Sequence, residues 1–126
     1  YFGDDFRVRK VTVPGGVVSF VTGSNSYGSA DGAPGTAQFS VITDVALDAG
    51  KQNLYVSDQL NNTIRKVVLA TGVVSTVAGH VGHAVDAPGP LSSAMLNHPQ
   101  KLVVSPTGDL LVTTPREESI LQIRLP

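Results

Sequence analysis

The chain contains no cysteine and no tryptophan, and it carries few charges for its length of 126 residues. Without cysteine, disulfides, thiol nucleophiles and cysteine-ligated metal sites are excluded. Nine Lys and Arg are balanced by ten Asp and Glu, which gives a formal net charge of −1. A nucleic-acid interface needs a clustered positive field, so we expect no nucleic-acid partner.

Long apolar runs and helical patterns are also missing. No run approaches the roughly 18 apolar residues that a spanning helix needs, so we expect no membrane span. No segment places apolar residues at helical spacing over three turns. The composition is instead rich in valine, with 13 Gly and 8 Pro, which is typical of short strands separated by turns. The sequence therefore predicts an all-β protein.

An internal repeat organises the chain. The stretch IRKVVLATGVVSTVAG at residues 64–79 restates VRKVTVPGGVVSFVTG at residues 8–23, each position 56 residues later, and a weaker third copy passes through Ile120. A fixed period of this kind indicates stacked repeats. The second copy predicts a four-stranded antiparallel meander with strands at 44–48, 53–58, 63–69 and 72–79. A solenoid is the alternative, but such four-stranded units are closer to a propeller blade.

The repeat also predicts the organisation of the chain. We expect residues 1–36 to form a partial blade (strands two to four) with its connector, and residues 37–79 to form a complete blade. Residues 80–126 then form a second connector and a partial blade (strands one to three). The predicted ring is incomplete, so the expected partners are its missing blades or other protein chains. We also expect the end of the chain to be the closing end of a ring, with a separate β-segment beside residues 119–125.

Two segments resemble a known family. NLYVSDQLNNTIRKVVLATGVVSTVAG at residues 53–79 resembles an NHL repeat, and SNSYGSADGAPGTAQF at residues 24–39 is similar to the Gly-rich connector of longer NHL repeats. The chain departs from the pattern with Asn62-Thr63 in place of His-Arg and with Ile42 in place of Pro. In the third copy, Thr114 stands where the repeat has Asp. The resemblance implies a β-propeller that serves as a non-catalytic scaffold for protein–protein interactions, without a cofactor.

An enzymatic propeller is the alternative function. The resemblance extends to an amidating lyase of the same family, which would place a metal or small-molecule site at the propeller axis. His80, His83 and His98 are the candidate ligands. They fall in a predicted connector without carboxylates at a diagnostic spacing, so we expect no metal site and no catalytic residue.

The recurring polar and glycine residues are expected to be structural. Asp58 and Asn61 are predicted to bracket a tight turn, where Asx side chains bond to nearby backbone. Gly72 and Gly79 are predicted to provide backbone conformations that a Cβ would strain.

Acidic and basic residues recur jointly in the repeat. Asp58 accompanies Arg65, Asp4 accompanies Arg9, and the third copy has Thr114 and Leu121 at the corresponding positions. Joint gain and loss predicts an ion pair inside each blade, because an unpaired buried charge is costly. The alternative is that the third copy has simply degenerated. The predicted core of the second copy consists of Val45, Leu47, Leu54, Val56, Ile64, Val67, Val73 and Val77.

Overall fold

The computed structural model describes residues 1–126 and contains ten strands in three antiparallel sheets. Sheet I is formed by β1 (Phe2–Asp4), β2 (Arg7–Val11) and β3 (Val18–Gly23). Sheet II is formed by β4 (Ile42–Leu47), β5 (Asn53–Asp58), β6 (Thr63–Val68) and β7 (Val74–Gly79). Sheet III is formed by β8 (Leu102–Val104), β9 (Leu110–Thr114) and β10 (Ser119–Ile123). The helical residues are two short 3-10 turns, Gln59–Asn61 and Pro115–Glu117.

The all-β prediction is confirmed. Strands that follow one another in the chain are neighbours in each sheet, so all three sheets are meanders, consistent with partial propeller blades. The fourth strand of sheet II is shorter than the predicted 72–79. Gly72 has a φ of 72° and donates its N–H to Val68 O (2.7 Å), so residues 69–73 form a turn and pairing with β6 begins at Val74. No helix is long and apolar enough to cross a bilayer.

Sheet II lies between the other two sheets and contributes to two apolar clusters. Successive side chains of a strand point to opposite faces, so β5 directs Leu54 and Val56 to one face and Tyr55 to the other. The cluster between sheets I and II consists of Val8, Ala37, Phe39, Leu54, Val56, Val67 and Val74. The cluster between sheets II and III consists of Tyr55, Ile64, Ala78, Leu96, Leu102, Leu110, Val112 and Ile123.

The predicted core is correct in its centre and wrong at two strand ends. Leu54, Val56, Ile64 and Val67 are fully buried, and Val45 and Val77 are half-buried against the two clusters. Leu47 and Val73 were predicted to be buried but are 36% and 41% exposed. Leu47 is the last residue of β4 and Val73 directly precedes the first residue of β7, so both exposed side chains lie at strand ends.

Hydrogen bonds from polar side chains fix the sheets relative to one another. Thr22 of sheet I donates its hydroxyl to Gly72 O at 2.7 Å. Asp44 of sheet II accepts the N–H of Leu102 at 3.0 Å, so β4 and β8 are tied side by side. Two long connectors, residues 24–41 and 80–101, join the sheets at the end where residues 59–62 also turn.

Candidate functional site

The turn between β5 and β6 creates the first half of a polar site. Asp58 ends β5, residues 59–61 form a 3-10 turn, and Asn62 adopts a left-handed conformation with a φ of 59° before β6 begins. Asn61 folds back and donates its amide to Asp58 Oδ2 at 2.7 Å and to Gly28 O at 2.7 Å. The turn that was predicted between Asp58 and Asn61 is therefore present, and it also contacts the connector that precedes sheet II.

Arg65 supplies the second half of the site. Its side chain is 1% exposed, and its guanidinium donates to Asp58 Oδ2 at 2.9 Å and to Asp31 Oδ1 at 2.7 Å. It also donates to Gln38 O at 2.8 Å and to Ala30 O at 2.9 Å. The predicted ion pair between Asp58 and Arg65 is thus present. Arg65 joins the sheet to the connector, and we call Asp31, Asp58 and Arg65 the connector clamp.

The two carboxylates of the connector clamp occupy different environments. Burial raises the pKa of Asp58, although hydrogen bonds from Asn61 and the Ser40 N–H and the charge of Arg65 oppose that rise. Burial by itself would raise the pKa of Asp31 too, but hydrogen bonds from Arg65 and Thr76 hold it below its usual value. Arg65 thus donates to both carboxylates, and Asp31 also accepts the N–H and the hydroxyl of Thr76 at 3.1 and 3.0 Å.

Sheet I contains the exposed version of the pair. Arg9 Nε lies 2.7 Å from Asp4 Oδ2, with 30% and 45% of the two side chains exposed. In sheet II the same pair is buried because the first connector covers it, and the Arg65 guanidinium lies 5.1 Å from the ring centre of Phe39 in that connector. The connector, rather than the sheet alone, decides whether the pair is buried.

Sheet III replaces the pair with a single carboxylate. Asp86, from the second connector, accepts the N–H of Asn97 at 2.8 Å and the hydroxyl of Thr114 at 2.5 Å. In sheet II the corresponding backbone donor, Ser40 N–H, bonds to Asp58 at 2.9 Å. Asp86 therefore takes over one role of Asp58. Asp86 was not predicted from the sequence, although each connector carries an Asp before its buried Phe39 or Leu96.

The two predicted structural glycines lie at close backbone approaches. Gly79 has a φ of 87°, and a Cβ there would overlap the carbonyl oxygen of Asn62. Gly72 has a φ of 72°, and a Cβ there would lie 2.9 Å from Val21 O of sheet I. Both positions favour glycine for conformational and steric reasons together.

The three candidate histidines do not form a metal site together. The rings of His80 and His83 are 6.3 Å apart between centres, while His98 bonds through Nδ1 to Asn97 Oδ1 at 2.7 Å. Burial and the charge of Arg116 lower the pKa of His98. No three metal-ligating side chains come together in this chain.

A pocket with a volume of about 340 Å³ lies between residues 87–96 and residues 121–124 at the end of strand β10. Its lining is mainly apolar, with Leu91, Met95 and Leu121 among the side chains and Arg124 as the charged one. It contains no pair of titratable groups that could act as acid and base.

The fold of this chain is similar to that of several solved structures. No protein-family model matches the chain, and no curated protein matches it either. Among solved structures, a protein of unknown function from Bacteroides thetaiotaomicron superposes with a TM-score of 0.82 at 28% identity, covering 90% of this chain and 28% of that chain.

Two further solved structures are auxiliary nutrient binding proteins. The one from Bacteroides thetaiotaomicron has a TM-score of 0.78 at 16% identity, covering 95% of this chain and 32% of that chain. The one from Bacteroides ovatus has a TM-score of 0.72 at 21% identity, covering 92% of this chain and 31% of that chain. The chain thus spans less than a third of each of these three proteins and shares their all-β, propeller-like fold.

Proposed function

We propose that this chain is part of an NHL-type β-propeller and acts as a non-catalytic scaffold that binds other proteins. The NHL assignment is supported by the repeated motif around Asp58 and Arg65 and by the connector that these residues hold. Binding is a use already described for the fold, because two of the solved relatives are auxiliary nutrient binding proteins. Fold alone does not define function, so the argument depends on the surface.

The observation that carries the proposal is a set of exposed apolar side chains on the connectors and the adjoining turn. Tyr27 in the first connector is 62% exposed, and Leu60 in the turn of sheet II is 54% exposed. Val81 and Val85 in the second connector are also exposed. The turn and the first connector are in contact through the bond from Asn61 to Gly28 O. Aromatic side chains are enriched at protein interfaces relative to the rest of the surface.

The polar groups favour binding over catalysis. The buried charges of the chain are neutralised by one another in the connector clamp. The pocket beside β10 has a mainly apolar lining without an acid–base pair. An enzymatic propeller would need convergent ligands or paired titratable groups in a cleft.

The test is quantitative affinity enrichment of the full-length protein from an extract of its source organism. Proteins enriched by the unchanged protein are compared with those enriched by a variant carrying Tyr27→Ser and Leu60→Ser. We expect at least a tenfold loss of a defined set of partners in the variant, because truncation of exposed anchors removes most of the binding energy at an interface.

The matched control is Val13→Ser, which removes a 90% exposed side chain from the turn between β2 and β3, away from the connectors. It should leave the enriched set unchanged. Equal losses with both variants, or a set that neither variant alters, would contradict binding through the connector surface.

A further inference from the structure

The first connector contains the dipeptide Asp31–Gly32. Every other aspartate of the chain is followed by a residue with a Cβ, and no asparagine precedes a glycine. The backbone nitrogen that follows an aspartate can attack the side-chain carboxyl carbon, Cγ. Glycine favours this attack because no Cβ restricts the backbone or shields the nitrogen. Asp31 is therefore the aspartate of this chain that is chemically best suited to react with its own backbone.

The reaction converts an aspartate to isoaspartate in two steps. In the first, a bond forms between Gly32 N and Asp31 Cγ, and the carboxyl OH leaves as water with the proton from Gly32 N, which closes a succinimide ring. In the second, water from the solvent adds to the main-chain carbonyl carbon of Asp31. The original peptide bond to Gly32 N then breaks, and the chain continues through Cγ. One water is lost and one is gained, so the mass is unchanged.

The folded structure engages both reacting groups of Asp31–Gly32. Asp31 Oδ1 accepts hydrogen bonds from Arg65 Nη2 at 2.7 Å and from the hydroxyl of Thr76 at 3.0 Å. Asp31 Oδ2 accepts the N–H of Thr76 at 3.1 Å. Gly32 donates its N–H to Val74 O at 3.0 Å and accepts the N–H of Val74 at 2.8 Å. Attack of Gly32 N on Cγ therefore requires the loss of bonds on both sides of the dipeptide.

Charge opposes the reaction as well. Ring closure expels the carboxyl OH, so the protonated carboxyl reacts much faster than the carboxylate. Burial by itself would raise the pKa of Asp31, but hydrogen bonds from Arg65 and Thr76 hold it below its usual value. The connector clamp therefore keeps Asp31 in its less reactive, ionised form near neutral pH.

Exclusion of water does not protect the dipeptide. The side chain of Asp31 is 49% exposed, so the water that opens the ring has access to it. Protection therefore depends on the bonds to Asp31 and on the paired bonds between Gly32 and Val74. All of them join the first connector to sheet II, so the residues that hold the connector also control the reaction.

We infer that Asp31–Gly32 is a site of isoaspartate formation, which the connector clamp holds inactive and which reacts when this part of the connector leaves sheet II. Local opening is sufficient, because it frees the carboxyl and the amide together without unfolding the sheets. The product prevents reclosure. Isoaspartate adds one carbon to the main chain and places the carboxylate on Cα, so the bonds to Arg65 and to Val74 no longer fit at the same time. A reversible opening thus becomes a permanent one.

Peptide mapping of the full-length protein after prolonged incubation tests the site. Endoproteinase Asp-N cleaves before aspartate but not before isoaspartate, so the product appears as an uncleaved peptide across residues 30 and 31 with unchanged mass. We expect the reaction in guanidinium chloride to be at least tenfold faster than in the folded protein at the same pH and temperature. Asp48, which is followed by alanine, is the internal comparison and should react more slowly than Asp31 in the unfolded chain.

Two pairs of variants separate the connector clamp from general stability. Arg65→Met removes the charged partner of Asp31, whereas Val67→Ala destabilises the same strand and leaves the contacts of Asp31 in place. After correction for the unfolded fraction of each variant, measured by denaturation, Arg65→Met should accelerate the reaction at least fivefold and Val67→Ala should not. Thr76→Val removes the hydroxyl bonded to Asp31 and should accelerate it at least twofold. Ser75→Ala removes a hydroxyl from the adjacent residue of β7 and should have no effect.

Three results overturn the inference. Absence of isoaspartate at residue 31 in the unfolded chain would mean that the dipeptide is not a reactive site. Equal rates in the folded and unfolded protein would mean that the connector clamp gives no protection. Equal corrected rates for Arg65→Met and Val67→Ala would assign the protection to the fold as a whole. If Arg65→Met does not fold, equal rates for Thr76→Val and Ser75→Ala have the same meaning.

Discussion

Replacement of Arg65 by methionine is the most informative single perturbation of this protein. Methionine keeps an apolar stem against Phe39 but removes all the guanidinium donors. The two carboxylates and two carbonyl oxygens that Arg65 faces then lose a charged partner. Asp58, which is fully buried, retains only Asn61 and the Ser40 N–H.

The structure sets the size of the effect. Removal of one partner from a buried ion pair costs about 3–5 kcal/mol, because the remaining charge is left without compensation. Burial already raises the pKa of Asp58, so in the variant this carboxyl relieves part of the cost by taking up a proton. We therefore expect a loss of about 4 kcal/mol in the free energy of unfolding of Arg65→Met, a large fraction of the stability of an ordinary domain.

Urea denaturation of the full-length protein measures this loss as a lower transition midpoint, with the dependence of the free energy on urea concentration unchanged. Arg9→Met in sheet I is the matched control, since it breaks the corresponding pair where both side chains are partly exposed. Exposed ion pairs are worth about 1 kcal/mol or less, so the control should cost no more than that. Adding Asp58→Asn completes a double-mutant cycle, in which we expect a coupling energy of about 1–3 kcal/mol between Asp58 and Arg65.

Equal losses in the free energy of unfolding for Arg65→Met and Arg9→Met would contradict this prediction. A coupling energy near zero in the cycle would be equally damaging. Either result would mean that the connector does not make the repeated pair a buried, interdependent one.

Three further predictions follow from the same geometry. Gly79→Ala should lower the free energy of unfolding by at least about 2 kcal/mol, because the position combines a positive φ with a backbone clash. Gly82 also has a positive φ, 81°, but open space around it, so Gly82→Ala should cost about 1 kcal/mol in the same denaturation assay. Val67→Ala, at a fully buried position, should cost about 2–3 kcal/mol, whereas Val73→Ala should cost about 0.5 kcal/mol or less; equal costs would contradict the observed boundary of the core. Asp31→Asn should reduce the loss of stability that the protein shows as pH falls. The pKa of Asp31 is lowered in the folded state, so its contribution to stability is present above the unfolded pKa of about 3.9 and is lost as pH falls below that value. Melting temperatures that decline equally in both proteins from pH 5 to pH 3 would be inconsistent with that shift.

Local pattern alone was sufficient for part of the fold. The bounds of β5 agree with the predicted strand 53–58, because alternating apolar residues end at an Asp and a turn begins immediately after it. The joint presence of acid and base predicted the pairs Asp58–Arg65 and Asp4–Arg9. This prediction succeeded because a buried charge that must be neutralised within a repeat keeps its partner at a constant position in that repeat.

The sequence by itself therefore determined the all-β class, the period of the repeat, the strand and turn order and the partnership of Asp58 with Arg65. These depend on neighbours within one repeat, and short-range periodicity and turn chemistry report such neighbours. Only the tertiary structure decided that Leu47 and Val73 are exposed, that Asp31 and two connector carbonyls complete the clamp, and that Asp86 substitutes for Asp58 in sheet III. The contacts among those features join a connector to a sheet residue 27 or more positions away along the chain, and pattern within a strand carries no information about that packing.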